Sequence, residues 1–577
     1  DISFSTAAKL TLSTDVTNYG SLSFINAGTF TNINSSWSFA GRTPGLTITS
    51  NGRSLYIVNF NAPGGTYTLQ DGFVANYRIA VNYGSFISAG NPISYAFGFN
   101  SANSNTRTVN LAGSTVTQTS ATVASYWYFS TTTNLTFSAP DLLYLSYNGA
   151  TATQFLCGNL TYNNIQIAPG SGATTFSGSF TFANMTMSET GVKTINFANS
   201  TTYTMTGNHF LSGSSGYLVT ISSDNVGTAA TISKASGFIS SEYVAISDFN
   251  AAATGATYYQ GANSTNTSTG WTSRGARTMR AADGNWNTAT DWYENAVPTS
   301  SEDVYILSDS GNISVDTAGQ STILSMQTGY TGTVTIASSN SLTVSGALTI
   351  AAGTLDSNGQ NLTIGSYSQT SGSYTAGASA ITCSGDWNIT GGTFTPGTSI
   401  VTLNGSLGQT VTSSGKSFAG LTIANASATG VTFADSSTIT GTFTAITASS
   451  KITFHALSTY AFANININGQ ASGTKITLLS SDFSNADLPS RQWYFNVSQT
   501  SPQATFVTVT DSDANGGNAI TPISSTDGGN NENWVFNTVP TNTSVTFTNP
   551  YSSNIAVSDD TTEWNFRAVL SDADGST

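Results

Sequence analysis

The chain has 577 residues, of which only 8% are charged, and it carries a formal net charge of −14 with an isoelectric point near 4.3. A typical globular domain has about 25% charged residues. The acidic balance argues against nucleic acid and anionic membrane surfaces as partners, because both would repel the chain.

The composition favours an all-β protein. Hydrophobic residues make up 38% of the sequence, and Val, Ile, Thr, Phe and Tyr recur throughout, which separates the chain from disordered sequences. Strong helix formers are scarce, and no long segment has the 3.6-residue apolar period of a helix. We find no signal peptide and no apolar run long enough to span a membrane.

Short strands separated by turns are predicted from the first residues onward. Apolar and small polar residues alternate at period 2, and Gly or Asn ends most runs after four to eight residues. In residues 1–140 the predicted strands are Leu10–Leu12, Leu22–Phe24, Leu46–Ile48, Tyr67–Leu69, Ile79–Val81, Thr106–Leu111 and Leu135–Phe137. Further along, strands of three to five residues are predicted at Val334–Ile336, Leu342–Val344, Leu348–Ile350, Leu362–Ile364, Trp387–Ile389 and Val401–Leu403.

These strands are too numerous for one sandwich, and they predict a parallel β-helix (β-solenoid), in which each turn stacks on the one before. Stacked turns lie roughly 4.8 Å apart, so equivalent side chains lie above one another. A column of like charges would repel, whereas columns of Thr, Ser and Asn can hydrogen-bond and columns of Val, Ile and Leu can pack. The scarcity of charge is therefore a consequence of stacking.

A repeated ending indicates two tandem copies. The strand at Val244–Asp248 is followed by Trp271, and the strand at Val507–Asp511 is followed at the same distance by Trp534. Each copy is expected to contain on the order of ten turns. The predicted domains are a first β-solenoid module at 1–271, a basic connector at 272–283, a second β-solenoid module at 284–536, and a linker with an incomplete domain at 537–577.

The copies meet in residues 271–306, which we name the junction segment. Arg274, Arg277 and Arg280 make its connector basic in an acidic chain, and they are expected to contact a neighbouring acidic module or subunit. Trp286 and Trp292 are expected to cap the second module. The pair Glu302 and Asp303 immediately precedes a strand, which predicts a solvated edge for both.

Both ends of the chain suggest a longer polypeptide. Residues 537–577 are predicted to be a linker and the first strands of an immunoglobulin-like β-sandwich, for which Trp564–Leu570 supplies an alternating strand. A complete sandwich needs roughly 100 residues. The chain begins at Asp1 without an initiator Met, so we expect either processing or a longer parent chain.

Several phrases resemble those of large secreted bacterial and phage-associated surface proteins with parallel β-helix repeats, such as filamentous-haemagglutinin-like adhesins. The matching stretches are Tyr67–Gly72, Ser104–Leu111, Leu160–Ile165, Gly284–Ile306 and Ser524–Trp534. The resemblance covers nearly the whole chain and implies a β-helix followed by an immunoglobulin-like domain, in an extracellular or cell-surface protein. It names no ligand.

No pattern assigns a catalytic group. His209 and His455 are the only histidines, and neither has a His or Cys at metal-ligand spacing, so structural roles are predicted for both. Ser414–Ser417 imitates the end of a phosphate-binding loop, but Thr410 replaces its first glycine and no helix follows. Cys157 and Cys383 are predicted to be small buried apolar groups rather than a disulfide or a zinc site.

Calcium is a candidate cofactor at two places. Asp511, Asp513 and Asn515 match the first half of a calcium loop, although Pro522 stands where the bidentate carboxylate is expected. Asp572 and Asp574 form a second pair of closely spaced carboxylates. Bound calcium would stiffen a junction, and the alternative at each place is a turn held by Asx hydrogen bonds.

Aromatic clusters make glycans candidate partners. The clusters at Tyr126–Phe129, Tyr95–Phe99 and Tyr258–Tyr259 carry rings that can stack on sugars. Successive side chains of a strand face opposite sides, however, so core packing is expected for much of each cluster.

The sequence thus predicts a non-catalytic structural or adhesive protein, an elongated rod in a cell-surface filament, surface layer or adhesin stalk. Self-association or contact with neighbouring surface-protein modules is expected. Two alternatives stay open: a polysaccharide-degrading β-helix enzyme, which needs carboxylates on neighbouring turns of one groove, and a phage or virus fibre.

Overall fold

The computed structural model is an all-β parallel β-solenoid of about 24 turns, with 51% of residues in strands. It describes residues 1–3, 9–25, 28–120, 126–280, 282–482 and 491–536. Within these ranges there is no α-helix, and Ala289–Asp291 and Ser472–Thr474 form single 3₁₀ turns. The predicted fold class is confirmed.

The strands are numbered in chain order. Those up to residue 145 are β1 Ile2–Ser3, β2 Leu10–Leu12, β3 Val16–Asn18, β4 Leu22–Ser23, β5 Phe30–Asn32, β6 Ser36–Phe39, β7 Leu46–Thr49, β8 Ser54–Leu69, β9 Phe73–Ile87, β10 Ile93–Tyr95, β11 Gly98–Asn100, β12 Arg107–Asn110, β13 Thr115–Gln118, β14 Tyr126–Tyr128, β15 Leu135–Ser138 and β16 Leu142–Leu145. Those from 153 to 326 are β17 Thr153–Leu156, β18 Thr161–Ile167, β19 Thr174–Ser177, β20 Thr181–Met187, β21 Lys193–Phe197, β22 Thr202–Met205, β23 Val219–Ser223, β24 Ala230–Ser233, β25 Phe238–Ser241, β26 Val244–Ser247, β27 Phe249–Ala251, β28 Thr257–Gln260, β29 Thr265–Asn266, β30 Ala276–Thr278, β31 Gly284–Asn285, β32 Asp303–Ile306, β33 Ile313–Val315, β34 Ala318–Ser321 and β35 Ile323–Met326. The remaining strands are β36 Thr333–Ile336, β37 Ser341–Ile350, β38 Thr354–Asp356, β39 Asn361–Gln369, β40 Ser373–Thr375, β41 Ala380–Cys383, β42 Trp387–Ile389, β43 Thr393–Thr395, β44 Ile400–Leu403, β45 Gln409–Thr412, β46 Ser417–Phe418, β47 Gly420–Ile423, β48 Val431–Phe433, β49 Ser437–Ala445, β50 Lys451–Phe454, β51 Thr459–Asn468, β52 Ile476–Ser480, β53 Trp493–Val497, β54 Gln503–Thr505, β55 Val507–Val509, β56 Ser512–Asp513, β57 Thr521–Ile523 and β58 Thr526–Asp527.

The chain divides into two compact units. The first comprises Asp1–Val334 with Thr343–Ser345, and the second comprises Thr335–Leu342 with Gly346–Thr577. The junction segment lies inside the first unit. The predicted module boundaries at 271, 283 and 536 are untested and stay predictions.

The first unit stacks its strands in parallel register around an apolar interior. One column of buried side chains runs through consecutive turns and consists of Phe73, Ile93, Val116, Leu143, Ile165 and Met185. Twenty-five strands between β1 and β29 form one continuous ladder, and β2 with β5 and β25 with β28 pair separately. Apolar residues at period 2 therefore become an inner column, as the sequence predicts.

The second unit repeats this arrangement. Its inner column contains Leu362, Ile381, Val401, Leu421, Phe443 and Ile465, each buried and each paired in parallel with the next. The residues one position along the same strands form an outer column of threonines, Thr363, Thr382, Thr402, Thr422 and Thr444. The predicted division into apolar and hydroxyl columns is confirmed.

Several strands are longer than predicted. The predicted strands at Leu342–Val344 and Leu348–Ile350 are parts of one strand, Ser341–Ile350, and Tyr67–Leu69 ends the 16-residue strand Ser54–Leu69. Where the latter pairs with Phe73–Ile87, the register shifts three times. Such irregularities let a strand bend without leaving the ladder. A glycine, such as Gly346 in Ser341–Ile350, therefore does not always end a strand.

Both cysteines are buried and free, as predicted. Burial raises the pKa of Cys157 well above its ordinary value and that of Cys383 to about 12. Within the described ranges, no helix is long and apolar enough to cross a membrane. The predicted immunoglobulin-like start at 537–577 lies outside the described residues.

Candidate functional site: buried ion pairs at the junction segment

Four ion pairs between described residues lie at or beside the junction segment, in a chain with little charge elsewhere. Their members come from the turns that precede the junction segment, from its two ends and, for Asp309, from just beyond it. Buried charges are costly unless they are paired and hydrogen-bonded. This cluster is therefore the strongest candidate for a site with a dedicated role.

Arg277 lies at the centre of the cluster. It is the middle residue of β30 and is 1% exposed. Its Nη1 lies 2.9 Å from Glu242 Oε2, and its Nη2 donates to Glu302 Oε1. Each carboxylate also accepts a backbone N–H, from Asn263 at 2.7 Å and from Thr299 at 2.9 Å. One guanidinium thus joins Glu242, which directly follows β25, to Glu302, which directly precedes β32.

Two glycines provide the space for these carboxylates. A Cβ atom at Gly261 would overlap the carboxylate of Glu242, and one at Gly275 would overlap Oε1 of Glu302. Neither glycine has a positive φ, so their role here is to leave room.

A second ion pair lies beside the first. Arg274 is about one-third exposed and pairs with the buried carboxylate of Asp303. The other oxygen of Asp303 accepts a hydrogen bond of 2.9 Å from the hydroxyl of Tyr259, which lies 3.3 Å from the hydroxyl of Tyr305. Burial raises the pKa of Tyr259, so this phenol stays a donor. The Tyr305 ring stacks on Phe238 at 4.0 Å, which adds an apolar contact between β32 and β25.

Glu294 is a buried carboxylate with neutral donors. It accepts hydrogen bonds of 2.8 Å from the backbone N–H and from the hydroxyl of Thr278, and it is 2% exposed. Burial raises the pKa of this carboxyl, and the nearby positive charge of Arg277 and the Thr278 donors only partly oppose that rise. Glu294 is therefore the junction residue with the clearest dependence on pH.

His209 connects an earlier turn to the junction segment. Its Nε2 lies 3.0 Å from Asp309 Oδ2, and its ring stacks on Tyr293 with centroids 3.6 Å apart. Hydrogen bonding to His209 lowers the pKa of Asp309. His455 is exposed and contacts only nearby groups of its own turn through Nδ1. Both arrangements agree with the predicted structural roles.

Buried cations away from the junction segment are held differently. Arg107 donates to the carbonyls of Ser101, Asn105, Thr131 and Thr133 and to the Ser101 hydroxyl. Lys234 donates to the Gly207 carbonyl and, at 2.8 Å, to Asn208 Oδ1. Burial lowers the pKa of Lys193 and of Lys234 to about 8. Side-chain carboxylates are used as partners at the junction segment, whereas these sites use carbonyl and amide oxygens.

The prediction of a solvated edge for Glu302 and Asp303 is wrong. These residues are 3% and 1% exposed. Both are covered because the arginines of the connector reach back across the start of β32. The expected contact between the connector and acidic residues does occur for Arg274 and Arg277, but with groups of the same chain. Arg280 instead donates to the Thr290 carbonyl and to Asn295 Oδ1.

The residues predicted to bind calcium have other contacts. Asp511 is 4% exposed, and its Oδ1 accepts a hydrogen bond of 2.7 Å from Asn530. Asp513 Oδ1 accepts the backbone N–H of Asn515 at 2.8 Å, which is the Asx turn considered as the alternative, and Asn515 Nδ2 donates to Glu532. Within the described residues, no group of three or more His, Cys, Asp or Glu side chains could hold a metal ion. Asp572 and Asp574 lie outside those residues, and calcium stays a prediction.

The aromatic clusters are divided between core and surface. Trp127, Phe129, Tyr95 and Phe99 are buried, as core packing predicts, and so are both members of the Tyr258–Tyr259 pair. Three partly exposed rings on the opposite face form a stack, Tyr56 on Tyr77 at 5.2 Å and Tyr77 on Phe97 at 4.8 Å. Tyr126 and Tyr128, also partly exposed, continue this row through edge contacts, Phe97 with Tyr126 at 5.0 Å and Tyr126 with Tyr128 at 6.0 Å. The faces of this stack cover one another, so a sugar cannot lie flat on its inner rings.

Four cavities lined by described residues contain one carboxylate between them, that of Glu189. The enzyme alternative requires two or three carboxylates on neighbouring turns of one groove. No observation in these cavities favours it, and it stays a hypothesis.

No family model, curated protein or solved structure matches the chain. The fold and the junction residues are therefore the basis for any proposal about function.

Sequence reasoning missed Glu242 and Tyr259 as members of the junction cluster. One signal was present in the sequence. Acidic residues are rare in this chain, and Glu242 directly follows a strand, where a side chain can pair with a residue of the next turn. Its partner Arg277 follows 35 positions later in the printed sequence, and nothing in the residue types gives the turn register that brings the two together.

Proposed function

We propose that the chain is an extracellular structural or adhesive protein whose stacked turns serve as an elongated rod in a cell-surface filament, surface layer or adhesin stalk. The repeated parallel turns and the uncharged outer columns support this proposal, since both suit a scaffold whose function depends on many stacked turns rather than on one site. The proposal assigns no catalysis to the chain.

The observation that carries the proposal is the buried ion-pair cluster at the junction segment, where the sequence predicts that two copies meet. Desolvating Arg277 with Glu242 and Glu302 is costly, and buried pairs add little net stability, so the role that we assign to this cluster is to fix one arrangement of the turns. A rod needs each junction between repeats to have one orientation. A flexible linker would be sufficient if the copies acted as independent binding modules.

Electron microscopy of the native material tests the proposal. Continuous filaments or a surface lattice are expected, and isolated single chains would contradict the proposal. The matched comparison is the full chain with Arg274, Arg277 and Arg280 all replaced by Ser. This variant should assemble less well at low salt, because the junction loses its fixed geometry. Unchanged assembly of the variant would show that the junction cluster is not needed for assembly.

A further inference from the structure

A small cavity lies beside the junction segment, between the end of β20 and residues 280–295. Its volume is about 240 Å³, and one wall carries Met187, Glu189 and Phe210 while the other carries Arg280, Tyr293 and Asn295. Pockets for drug-sized ligands have volumes of about 300–1,000 Å³. The cavity therefore suits a single small polar group rather than a long chain.

The cavity is lined by two opposite charges, Glu189 and Arg280, that do not form an ion pair with each other. Glu189 is exposed, and within the described residues it forms no hydrogen bond and no ion pair. Its carboxylate oxygens therefore lie more than 4.0 Å from the Arg280 nitrogens. Arg280 uses Nε and Nη2 for the Thr290 carbonyl and for Asn295 Oδ1. A carboxylate and a guanidinium Nη1, neither with a hydrogen-bond partner among the described residues, thus line one cavity.

The side of the cavity formed by Arg280, Tyr293 and Asn295 is fixed by contacts within the chain. The guanidinium of Arg280 lies 4.9 Å from the ring centroid of Tyr293, whose ring is stacked on His209. Asn295 Nδ2 donates to the Gly213 carbonyl at 2.7 Å, which fixes the amide that orients Arg280. Fixed polar groups lose little entropy when a ligand binds, and this favours a binding site over an accidental gap.

We propose that this cavity binds one neutral sugar residue, such as the end of a glycan. A carboxylate accepts two hydroxyl donors, and a guanidinium donates to hydroxyl or ring oxygens. Five hydroxyl-bearing residues, Thr186, Ser188, Thr190, Ser212 and Thr290, also line the cavity, and they match a polyhydroxylated ligand. Met187 and Phe210 offer an apolar contact for the C–H face of the sugar. A zwitterion would pair with the two charges but leave the hydroxyl lining unmatched.

The test uses the full chain and the methyl glycosides of glucose, galactose, mannose and N-acetylglucosamine as probes. Saturation-transfer NMR detects binding, and titration gives the dissociation constant. At least one glycoside is expected to bind at millimolar concentration. Glu189→Gln should weaken binding about tenfold, the equivalent of roughly 1.4 kcal/mol, and Thr190→Trp at the exposed rim should block it. Asp356→Asn, which changes the net charge equally in the second unit, should bind like the unaltered chain.

Failure of every glycoside to bind would overturn the proposal, as would unchanged binding by both cavity variants. Binding of free alanine in place of the glycosides would overturn the sugar assignment. The thermal midpoint of each variant shows that it is folded. The inference deepens the adhesive part of the proposed function. The biological role of sugar binding rests on that proposed function, but the binding itself does not. Binding of a free glycoside does not depend on assembly of the chain, so its failure leaves the filament test untouched.

Discussion

At the scale of single residues, the chain uses two chemically different ways to bury a cation. Arg107 is surrounded by backbone carbonyls, which satisfy its donors without placing a second charge in the core. Arg277 is placed between two carboxylates. The first arrangement ties neighbouring turns together locally. The second places two further charges in the core, and it becomes costly when one partner is lost.

Removing the charge of Arg277 should strongly destabilise the first unit. Arg277→Met leaves Glu242 and Glu302 buried without their common partner, and breaking a buried pair in this way costs about 3–5 kcal/mol. Denaturant unfolding, followed through the tryptophans of the first unit, gives the change in the free energy of unfolding.

A combined variant separates the charge from the packing. When Arg277→Met is joined to Glu242→Gln and Glu302→Gln, neither of its two ion-pair partners is left charged, and much of the lost stability should return. Lys416→Met, at a residue of the second unit, controls for loss of a positive charge. If the combined variant is as unstable as Arg277→Met alone, the ion pairs do not explain the effect.

Glu294 should make the stability of the first unit depend on pH. Its folded pKa is raised above the ordinary value of 4.5 because the carboxyl is buried. The folded state therefore favours the protonated form, and the stability contributed by this protonation is fully present below pH 4.5 and is lost as pH rises through the folded pKa. Glu294→Gln cannot titrate, so its stability relative to the unaltered chain should increase as pH rises from 4 toward 7. Melting curves at several pH values measure this difference, and a constant difference would contradict the assignment.

Calcium binding at Asp511 and Asp513 is a separate prediction at this scale. A bound ion would have to compete with Asn530 for Asp511 and with the Asn515 N–H for Asp513. If it binds, calcium added to chelator-treated protein should raise the melting temperature through mass action. The double variant Asp511→Asn, Asp513→Asn should lose that rise. No rise in the unaltered chain would leave the Asx turn as the role of Asp513 and the hydrogen bond from Asn530 as the role of Asp511.

At the scale of elements, the threonine column explains why the chain tolerates so little charge. Thr402 and Thr422 are paired in adjacent turns, roughly 4.8 Å apart. Replacing both with Asp should therefore destabilise the second unit by more than the sum of the single changes. The expected excess is about 0.2–1 kcal/mol at low salt, and it should shrink as salt screens the pair.

A matched pair two turns apart provides the control. Thr402→Asp with Thr444→Asp introduces the same two charges in the same column, but with Thr422 between them. Its coupling energy in a double-mutant cycle should be clearly smaller, because the separation is doubled. Equal coupling for both pairs would show that repulsion between neighbouring turns is not the reason for the low charge.

The sequence predicts the strands well because the residue type at each strand position indicates whether its side chain faces inward or outward. The alternation at Val401–Leu403 identifies the inward and outward faces before any partner is known, and the structure places both faces as expected. Strand ends are harder to predict. Whether Gly346 ends a strand or only bends one depends on the turns above and below, and β37 continues through it.

The junction cluster is less predictable for the same physical reason. The contact between Arg277 and Glu242 exists only because of the register in which the turns near residue 240 meet β30, and register is a property of pairs of turns. Single-residue patterns gave the basic connector but favoured a solvated position for Glu302 and Asp303. Their burial follows from neighbours that the alternation of apolar and polar residues does not identify.

At the scale of the whole molecule, a solenoid gains its stability from contacts between adjacent turns. In the first unit Phe176 packs on Phe155 and Phe197, at 5.0 and 5.4 Å. In the second unit Phe443 is paired with Leu421 and Ile465 in neighbouring turns. Stability in such an array is approximately a sum of the stability of each turn and of its contacts with the next. Local damage should then remain local.

Phe443→Ala tests this expectation. Phe443 is fully buried, so its truncation should cost about 3–5 kcal/mol. Hydrogen exchange measured by mass spectrometry should show the largest loss of protection in β47, β49 and β51, with smaller losses in turns further away, because each turn depends mainly on its neighbours. Phe176→Ala is the matched variant in the first unit, and its losses should centre on β17, β19 and β21. Uniform loss of protection along the chain in either variant would mean that the solenoid unfolds as one cooperative body, and the additive description would then fail.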